Sequence, residues 1–138
     1  MTERDRAVLE ARPTVDAHPE LASTDLEAFL HRTLRPVLKL QNDVLLALVA
    51  NDVAKRVPGF ASLGLEVQRD RLTAMLKTDS RLKRVLVGVV WGSLTTDELT
   101  FALEAEGEVR RRVMALLVER VASQTETVVG LVQARAER

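Results

Sequence analysis

The residue types that most often perform catalysis are scarce in this sequence. It contains no cysteine and two histidines, His18 and His31. Glu27 and His31 lie four residues apart and would share a helix face, whereas di-iron sites in helical bundles use a Glu-x-x-His pair on each of two helices. No serine lies in a G-x-S-x-G turn, and no glycine-rich phosphate loop is present. The sequence therefore assigns no catalytic residue and no cofactor, and it favours a protein that is not an enzyme.

Two pairs of carboxylates have the spacing that places both side chains on one helix face. They are Glu66 with Asp70, and Glu104 with Glu108. Such pairs can bind a divalent cation, but arginines next to them in the sequence can neutralise them instead. A helical enzyme or carboxylate metal protein is therefore the third functional hypothesis, and no metal ligand is assigned.

Three consecutive arginines, Arg110, Arg111 and Arg112, form the strongest candidate for nucleic-acid contact. Residues 96–103 before them resemble the first helix of a helix-turn-helix, with Gly107 predicted in the turn. Arginines near the N-terminus of a recognition helix can reach base edges or phosphates. The alternative functional hypothesis is thus a DNA-binding regulator that uses a degenerate helix-turn-helix at about residues 96–113.

The same segment departs from that motif beside the turn. A glycine usually follows the Leu103 position directly, but this chain has Glu104-Ala105-Glu106, and glutamates near the groove would repel phosphate. Acid-before-base spacing from Glu106 to Arg110, and from Glu108 to Arg112, is also typical of an ordinary exposed helix. Both interpretations stay open from the sequence.

The elements that must position these residues are arranged around the most apolar stretch of the chain, residues 85–91. Its valines would suit a buried strand, but its apolar residues keep helical spacing and no second strand is evident for pairing. We predict a central apolar helix at about residues 81–93. Gly88 and Gly92 would share one face, where small residues allow another backbone to approach closely. Alternatively, Gly92 ends the helix.

Helix-start signals divide the remaining chain. Thr24-Asp25-Leu26-Glu27 and Thr95-Thr96-Asp97-Glu98 each match a capping box. Between and after them, apolar residues recur at helical spacing, Pro36 predicts a kink or restart, and Val57-Pro58-Gly59 predicts a helix end. The predicted fold class is all-α, a compact bundle of five to six helices around the central apolar helix.

The N-terminal residues 1–23 are charged and carry two prolines, and Pro13 leaves room for little more than one turn of helix. We predict that they form a mobile or loosely docked arm. Residues 24–138 are expected to form a single helical domain.

The composition agrees with a small helical protein. Of the 138 residues, 46% are apolar and 29% are charged, whereas aromatic residues make up 3%, so leucine, valine and alanine must build the core. A net charge of zero removes any whole-protein attraction to nucleic acid or anionic membranes. The apolar run is shorter than the roughly 20 residues that cross a bilayer, and no signal-peptide core is evident. We expect a cytoplasmic protein that does not associate with membranes.

The charges are unevenly distributed along the chain. Residues 69–84 contain six basic and two acidic residues, a net charge of +4, and residues 97–108 contain five acidic and no basic residues, a net charge of −5. Each segment can be a solvated helix face. The sharper interpretation is that the two patches pair between subunits, or that the basic patch binds an acidic partner.

The amount of apolar helix surface favours self-association. The segment around Met114 is apolar over more than one helix face, and residues 85–91 are apolar all round. Ordinary packing within one chain could cover both, but in a domain this small a homodimer would bury the surplus. The predicted interface residues are Gly88, Trp91, Gly92, Met114, Leu117 and Val118. The favoured function is a small non-enzymatic helical protein that acts through homo-oligomer or partner-protein contacts.

Overall fold

A computed structural model describes residues 1–15 and 24–136, and the regular structure in those ranges is entirely helical. The predicted all-α class is confirmed. None of the described helices is long and apolar enough to span a membrane. The α-helices are α1 (Glu3–Ala11), α2 (Asp25–Phe29), α3 (Arg35–Leu40), α4 (Asn42–Arg56), α5 (Leu65–Thr78), α6 (Ser80–Trp91), α7 (Thr96–Glu104), α8 (Glu106–Ser123) and α9 (Thr125–Ala136).

The chain divides into two compact units, each assembled from two separate stretches of sequence. The first unit comprises Met1–Asn42 and Val87–Val113, and the second comprises Asp43–Leu86 and Met114–Arg138. The single domain predicted at residues 24–138 stays a prediction.

The N-terminal helix of the first unit is longer than the sequence predicted. Helix α1 has nine residues, Glu3–Ala11, where little more than one turn was expected. Thr2 caps it, since the Thr2 hydroxyl oxygen accepts a hydrogen bond from the Asp5 amide at 3.0 Å. Pro13 follows the last turn and therefore does not interrupt the helix. Residues 16–23 of the predicted arm, with His18, lie outside the described residues.

Pro36 lies in the first turn of α3, as the restart alternative predicted, and a wider helical turn precedes that helix. Helices α2 and α3 are joined without a break by a π-helical turn, Leu30–Leu34. Proline cannot donate a backbone hydrogen bond, and its ring collides with the carbonyl four residues earlier. Widening the turn before Pro36 moves that carbonyl aside, so the helix continues. Phe29, at the end of α2, packs against Phe101 with ring centroids 4.7 Å apart.

The second unit has a core built mainly of leucine and valine, as the composition predicted, with Ala50 and one phenylalanine, Phe60. Helix α4 ends at Arg56, and Gly59 then adopts a left-handed conformation with φ 73°, which glycine takes without steric cost. A 3-10 turn, Phe60–Ser62, follows and buries Phe60. The buried Gln68 side chain donates to the Phe60 carbonyl oxygen at 3.1 Å, which fixes this turn to α5.

The most apolar stretch of the sequence is helical, so the strand alternative is wrong. Helix α6 spans Ser80–Trp91, and the Asp79 carboxylate caps it by accepting from the Leu82 amide at 3.1 Å. The stretch is not enclosed all round, since Val85 is 39% exposed and Gly88 is exposed. Gly92 immediately follows the last helical residue, in agreement with the alternative prediction that Gly92 ends the helix. No other described backbone approaches Gly88, where a Cβ would meet nothing within 4 Å.

Candidate functional site

The segment predicted as a helix-turn-helix has a different turn. Helix α7 ends at Glu104 and α8 begins at Glu106, so Ala105 alone connects them and Gly107 lies inside the first turn of α8. The predicted position of Gly107 in the turn is therefore wrong. Acidic residues at a helix N-terminus are stabilised by the helix dipole, which explains why α8 begins at Glu106. A DNA-binding helix-turn-helix usually has a turn of three to four residues.

Two of the three arginines at the start of α8 are exposed and contact the same carboxylate. Glu108 contacts Arg111 at 2.8 Å and Arg112 at 3.4 Å, and both arginines are exposed. The pair between Glu108 and Arg112 was expected from the spacing and is observed. Arg110 is half-buried and forms no ion pair with Glu106 in the part of the chain that the structure describes.

The carboxylate pairs do not assemble into a cation site. Glu66, Asp70 and Glu104 are exposed. Glu108, which was paired with Glu104 in the sequence prediction, instead contacts two arginines. Within residues 1–15 and 24–136, no group of three or more potential metal ligands comes together. His31 accepts a hydrogen bond at Nδ1 from Arg35 Nε at 3.3 Å.

Two of the predicted interface residues, Met114 and Val118, lie together in a cleft of about 390 Å³. The remaining lining residues are Leu76, Lys77, Lys83 and Ala115. We call this the lysine cleft. Gly88, Trp91 and Gly92 do not line it. Leu117 is fully buried within the chain, so its side chain is not available to a partner.

The lysine cleft is lined by apolar side chains and by two lysines. Helix α8 supplies Met114 and Val118, which lie one turn apart and are half-buried. Lys77 comes from the last turn of α5 and Lys83 from the start of α6, so the short break between those helices brings the two amines to one cleft. Neither lysine forms an ion pair with any described residue. The cleft can therefore accept an apolar side chain that is flanked by carboxylates.

A second group of charged residues lies in the same unit and was not predicted from the sequence. Asp52 on α4 and Asp79 before α6 have side chains that are 6% and 7% exposed. Arg56 Nε lies 3.2 Å from Asp52 Oδ2 and 3.3 Å from Asp79 Oδ2, and Arg81 Nη1 lies 3.4 Å from Asp52 Oδ1. The one sequence signal for this group is that Asp52 interrupts an apolar helix face beside Val49 and Val53.

The two aspartates have pKa values displaced in opposite directions. Burial raises the pKa of Asp52, and the neighbouring Asp79 carboxylate raises it further, against the effect of Arg56 and Arg81. The Leu82 amide lowers the pKa of Asp79, and the contacts of Asp79 with Asp52 and Arg56 lower it further, against the effect of burial. Asp52 is therefore the carboxyl group that keeps its proton to higher pH. Because two arginines neutralise the pair, we interpret it as a structural link between α4 and the start of α6.

These displacements predict a pH dependence for the variant Asp52→Asn. A carboxyl group whose pKa is raised on folding stabilises the folded state at pH values below its ordinary pKa. That contribution is lost as the pH rises through the raised pKa. Asparagine stays neutral and can still donate to Asp79. We therefore expect the stability of Asp52→Asn relative to wild type to increase from acidic to neutral pH, measured by urea unfolding.

The matched variant Asp79→Asn should show the opposite trend. A carboxyl group whose pKa is lowered on folding stabilises the folded state at pH values above its ordinary pKa. That contribution is lost as the pH falls through the lowered pKa. Asp79→Asn should therefore lose stability relative to wild type as the pH rises from strongly acidic to neutral. Parallel pH profiles for the two variants would contradict the assignment of the shared proton to Asp52.

A third group of polar residues lies in the first unit and attaches α1 to the loop before α7. The Arg12 guanidinium donates to Glu98 Oε2 at 2.7 Å and to the Ser93 carbonyl oxygen at 3.1 Å. Asp5 accepts from the Thr96 amide and hydroxyl at 3.1 and 2.8 Å. Arg4 donates to the carbonyl oxygens of Gly92 and Leu94. These contacts join parts of the chain that are more than 80 residues apart.

Glu98 takes part both in this attachment and in the predicted capping box. The Thr95 hydroxyl oxygen accepts from the Glu98 amide at 3.2 Å, and the Glu98 carboxylate accepts from the Thr95 amide at 2.8 Å. The second capping box is thus confirmed. Burial acts to raise the pKa of Glu98, but hydrogen bonds from Arg12 and the Thr95 amide outweigh it and hold the pKa below its usual value.

Removing the cap by Thr95→Ala should destabilise the protein by about 1–2 kcal/mol, because the Glu98 amide at the start of α7 loses its acceptor. Thr100→Ala is the matched control. Its hydroxyl is exposed and bonds to the Thr96 carbonyl of the same helix, and we expect a change within about 0.5 kcal/mol. Urea unfolding of wild type and of the two variants measures the differences in the free energy of unfolding. Equal stability of both variants would show that the Thr95 hydroxyl does not stabilise α7.

Neither a protein-family model, nor a curated protein, nor a solved structure matches the chain. The choice among the three groups therefore depends on their geometry. The Asp52–Asp79 pair and the Arg12–Glu98 attachment have their charges matched within the chain. The lysine cleft has charges without partners among the described residues, and it is the candidate functional site.

Proposed function

We propose that this protein is a small non-enzymatic interaction protein that binds an acidic helical partner in the lysine cleft. The observation that carries the proposal is the combination of Met114 and Val118 in an apolar cleft with Lys77 and Lys83, which have no ion-pair partner in the described chain. A partner helix with an apolar side chain between carboxylates would satisfy both features.

The size and flexibility of the cleft suit side-chain recognition. A volume of about 390 Å³ lies at the lower end of the range of roughly 300–1,000 Å³ that is typical of ligand sites. Methionine has several rotatable bonds and a polarisable sulfur, so Met114 can adapt to different apolar groups. The cleft lining contains no carboxylate and no histidine, so an acid–base pair for catalysis is not at hand there.

The alternative, a DNA-binding regulator, has less support. In its favour, Arg111 and Arg112 are exposed near the N-terminus of α8. Against it, the connection before α8 is a single residue, and Glu108 contacts both arginines. A carboxylate held within 3.4 Å of the guanidinium groups would have to be displaced before they could bind phosphate.

The proposed function can be tested by following the methionine methyl signals in nuclear magnetic resonance spectra. The chain has three methionines, and Met114 lines the cleft whereas Met1 and Met75 do not. The probe is a synthetic helical peptide in which one leucine is flanked by glutamates, and the control peptide carries lysines in place of the glutamates. We expect the acidic peptide to shift the Met114 signal, and the basic peptide to leave it unchanged.

Charge reversal of the cleft provides the second part of the test. Lys77→Glu with Lys83→Glu should weaken binding of the acidic peptide about tenfold or more, because like charges would then face each other. Lys55→Glu with Arg71→Glu is the matched control, since both residues are exposed in the same unit and do not line the cleft. If millimolar acidic peptide leaves the Met114 signal of the wild-type chain unchanged, the proposed function is wrong.

A further inference from the structure

The surface of α7 carries the features that the lysine cleft would bind. Leu103 is 48% exposed, and Glu104 follows it at the end of the helix. Asp97 and Glu104 are seven residues apart and therefore share one helix face, beside that of Leu103. Glu106 begins α8 two residues later. This acidic surface, Asp97, Leu103, Glu104 and Glu106, thus presents one apolar side chain among carboxylates.

The ion pairs of the structure show which charges are available for a partner. Glu98 is bound by Arg12, and Glu108 by Arg111 and Arg112. The carboxylates of the acidic surface form no ion pair with a described residue. Within residues 69–84, Arg81 contacts Asp52, whereas neither amine of the lysine cleft forms an ion pair with a described residue. The basic and acidic segments of the sequence therefore contribute two sets of opposite charges that lack ion-pair partners among residues 1–15 and 24–136.

We propose that the occupant of the lysine cleft is a second copy of this chain, which inserts Leu103 of its acidic surface. Glu104 and Glu106 of that copy would face Lys77 and Lys83. The proposal rests on the proposed function and names its partner. If each copy both gives and receives one such contact about a twofold axis, the assembly closes as a dimer.

Charge complementarity is the reason for choosing a second copy over an unrelated protein. This chain carries both halves of the contact, and the charges of each half lack ion-pair partners among the described residues. Because the contact has one apolar side chain and a few exposed ion pairs, we expect a small interface with weak, reversible association. Exposed ion pairs are screened by salt, so the association should weaken as ionic strength rises.

Sedimentation equilibrium of the 138-residue chain tests the proposal, from micromolar to submillimolar concentration at low salt. We expect a monomer–dimer equilibrium for wild type. The basic-side variant, Lys77→Glu with Lys83→Glu, and the acidic-side variant, Glu104→Lys with Glu106→Lys, should each self-associate at least about tenfold more weakly. A chain with all four substitutions restores opposite charges across the contact and should recover most of the association.

Leucine substitutions test the apolar half of the contact. Leu103→Asn should weaken self-association, whereas Leu65→Asn should not, because Leu65 is similarly exposed, at 42%, and lies outside both surfaces. Circular dichroism identifies any variant that fails to fold. If a leucine variant fails to fold, the four-substitution chain still tests the contact, because recovery of association requires the specific charge pairing.

The outcomes distinguish a wrong choice of partner from a wrong proposed function. Wild type that remains monomeric at submillimolar concentration and low salt overturns the second copy as the occupant. If the acidic peptide still shifts the Met114 signal in that case, the proposed function stands with a different acidic partner. If neither self-association nor peptide binding occurs, both proposals are wrong. Undiminished dimerisation of both the basic-side variant and the acidic-side variant also overturns this contact.

Discussion

Replacing Arg12 by methionine should destabilise the protein by about 3 kcal/mol or more. The side chains of Arg12 and Glu98 are 9% and 19% exposed, so the pair is largely removed from water. Removing one partner of a buried ion pair leaves the other charge without compensation, which typically costs about 3–5 kcal/mol. Methionine keeps the length of the arginine stem, so the loss would come mainly from the guanidinium and its bonds to Glu98 and Ser93.

A double-mutant cycle separates the ion pair from side-chain packing. Glu98→Gln removes the charge of the partner, and the chain with both substitutions should be more stable than the sum of the single losses predicts. Arg6→Met, at an exposed position of helix α1, which precedes Arg12, is the matched control and should change stability by less than about 0.5 kcal/mol. Urea unfolding at neutral pH gives these free energies. Additive losses would show that Arg12 and Glu98 act independently.

Truncating Phe60 to alanine should cost about 3–5 kcal/mol, the range for large aromatic side chains removed from a core. Phe60 is 1% exposed and is the largest fully buried side chain in the described chain. It lies in the 3-10 turn between α4 and α5. The Gln68 amide bonds to its backbone oxygen, which holds the turn in place after the side chain is lost.

Leu65→Ala is the control for Phe60→Ala, because Leu65 begins α5 in the same unit and is 42% exposed. Its truncation should change the free energy of unfolding by about 0.5 kcal/mol or less. The urea m-value should stay the same in both variants, since each alters the native packing and leaves the surface exposed on unfolding nearly unchanged. A loss below about 1 kcal/mol for Phe60→Ala would show that the turn repacks around the missing ring.

The features that were predicted correctly depend on residues close together in the sequence. The helical class follows from apolar spacing and few aromatic residues, the cap of α7 from Thr95 and Glu98, and the end of α4 from Val57-Pro58-Gly59. Each signal acts within about one turn of backbone, where steric and hydrogen-bond preferences are strong. The error at Gly107 arose because glycine was expected to mark the turn. The acidic residues on both sides of Gly107 instead favour the first turn of a helix.

The features that were missed depend on residues far apart in the sequence. Arg12 binds a carboxylate 86 residues later, and Asp52 shares Arg56 with Asp79. Charged residues are common on every helix, so their types alone do not identify which of them become buried partners. Asp52 within an apolar face was the single available signal.

The candidate site was predicted in part. Excess apolar surface around Met114 indicated an exposed group there, and the structure places Met114 and Val118 in a cleft. Leu117 has the same character in sequence but is buried, because neighbouring positions on a helix point about 100° apart. The contribution of Lys77 and Lys83 depends on the break between α5 and α6. That break brings residues of two helices to the same cleft, and the spacing of residues in the sequence does not predict it.

The π-helical turn before Pro36 sets the rotational phase between the two ends of a continuous helical segment. A π-helical turn holds one more residue than an α-helical turn, so every side chain after it is rotated by about 100° relative to an uninterrupted α-helix. Phe29 before the turn and Val37 after it are both buried with this offset. Deleting one residue from Leu30–Leu34 would make the helix more regular, yet it would turn either Phe29 away from Phe101 or Val37 out of the core. In this segment the less regular backbone is therefore the one that keeps both apolar faces directed inward.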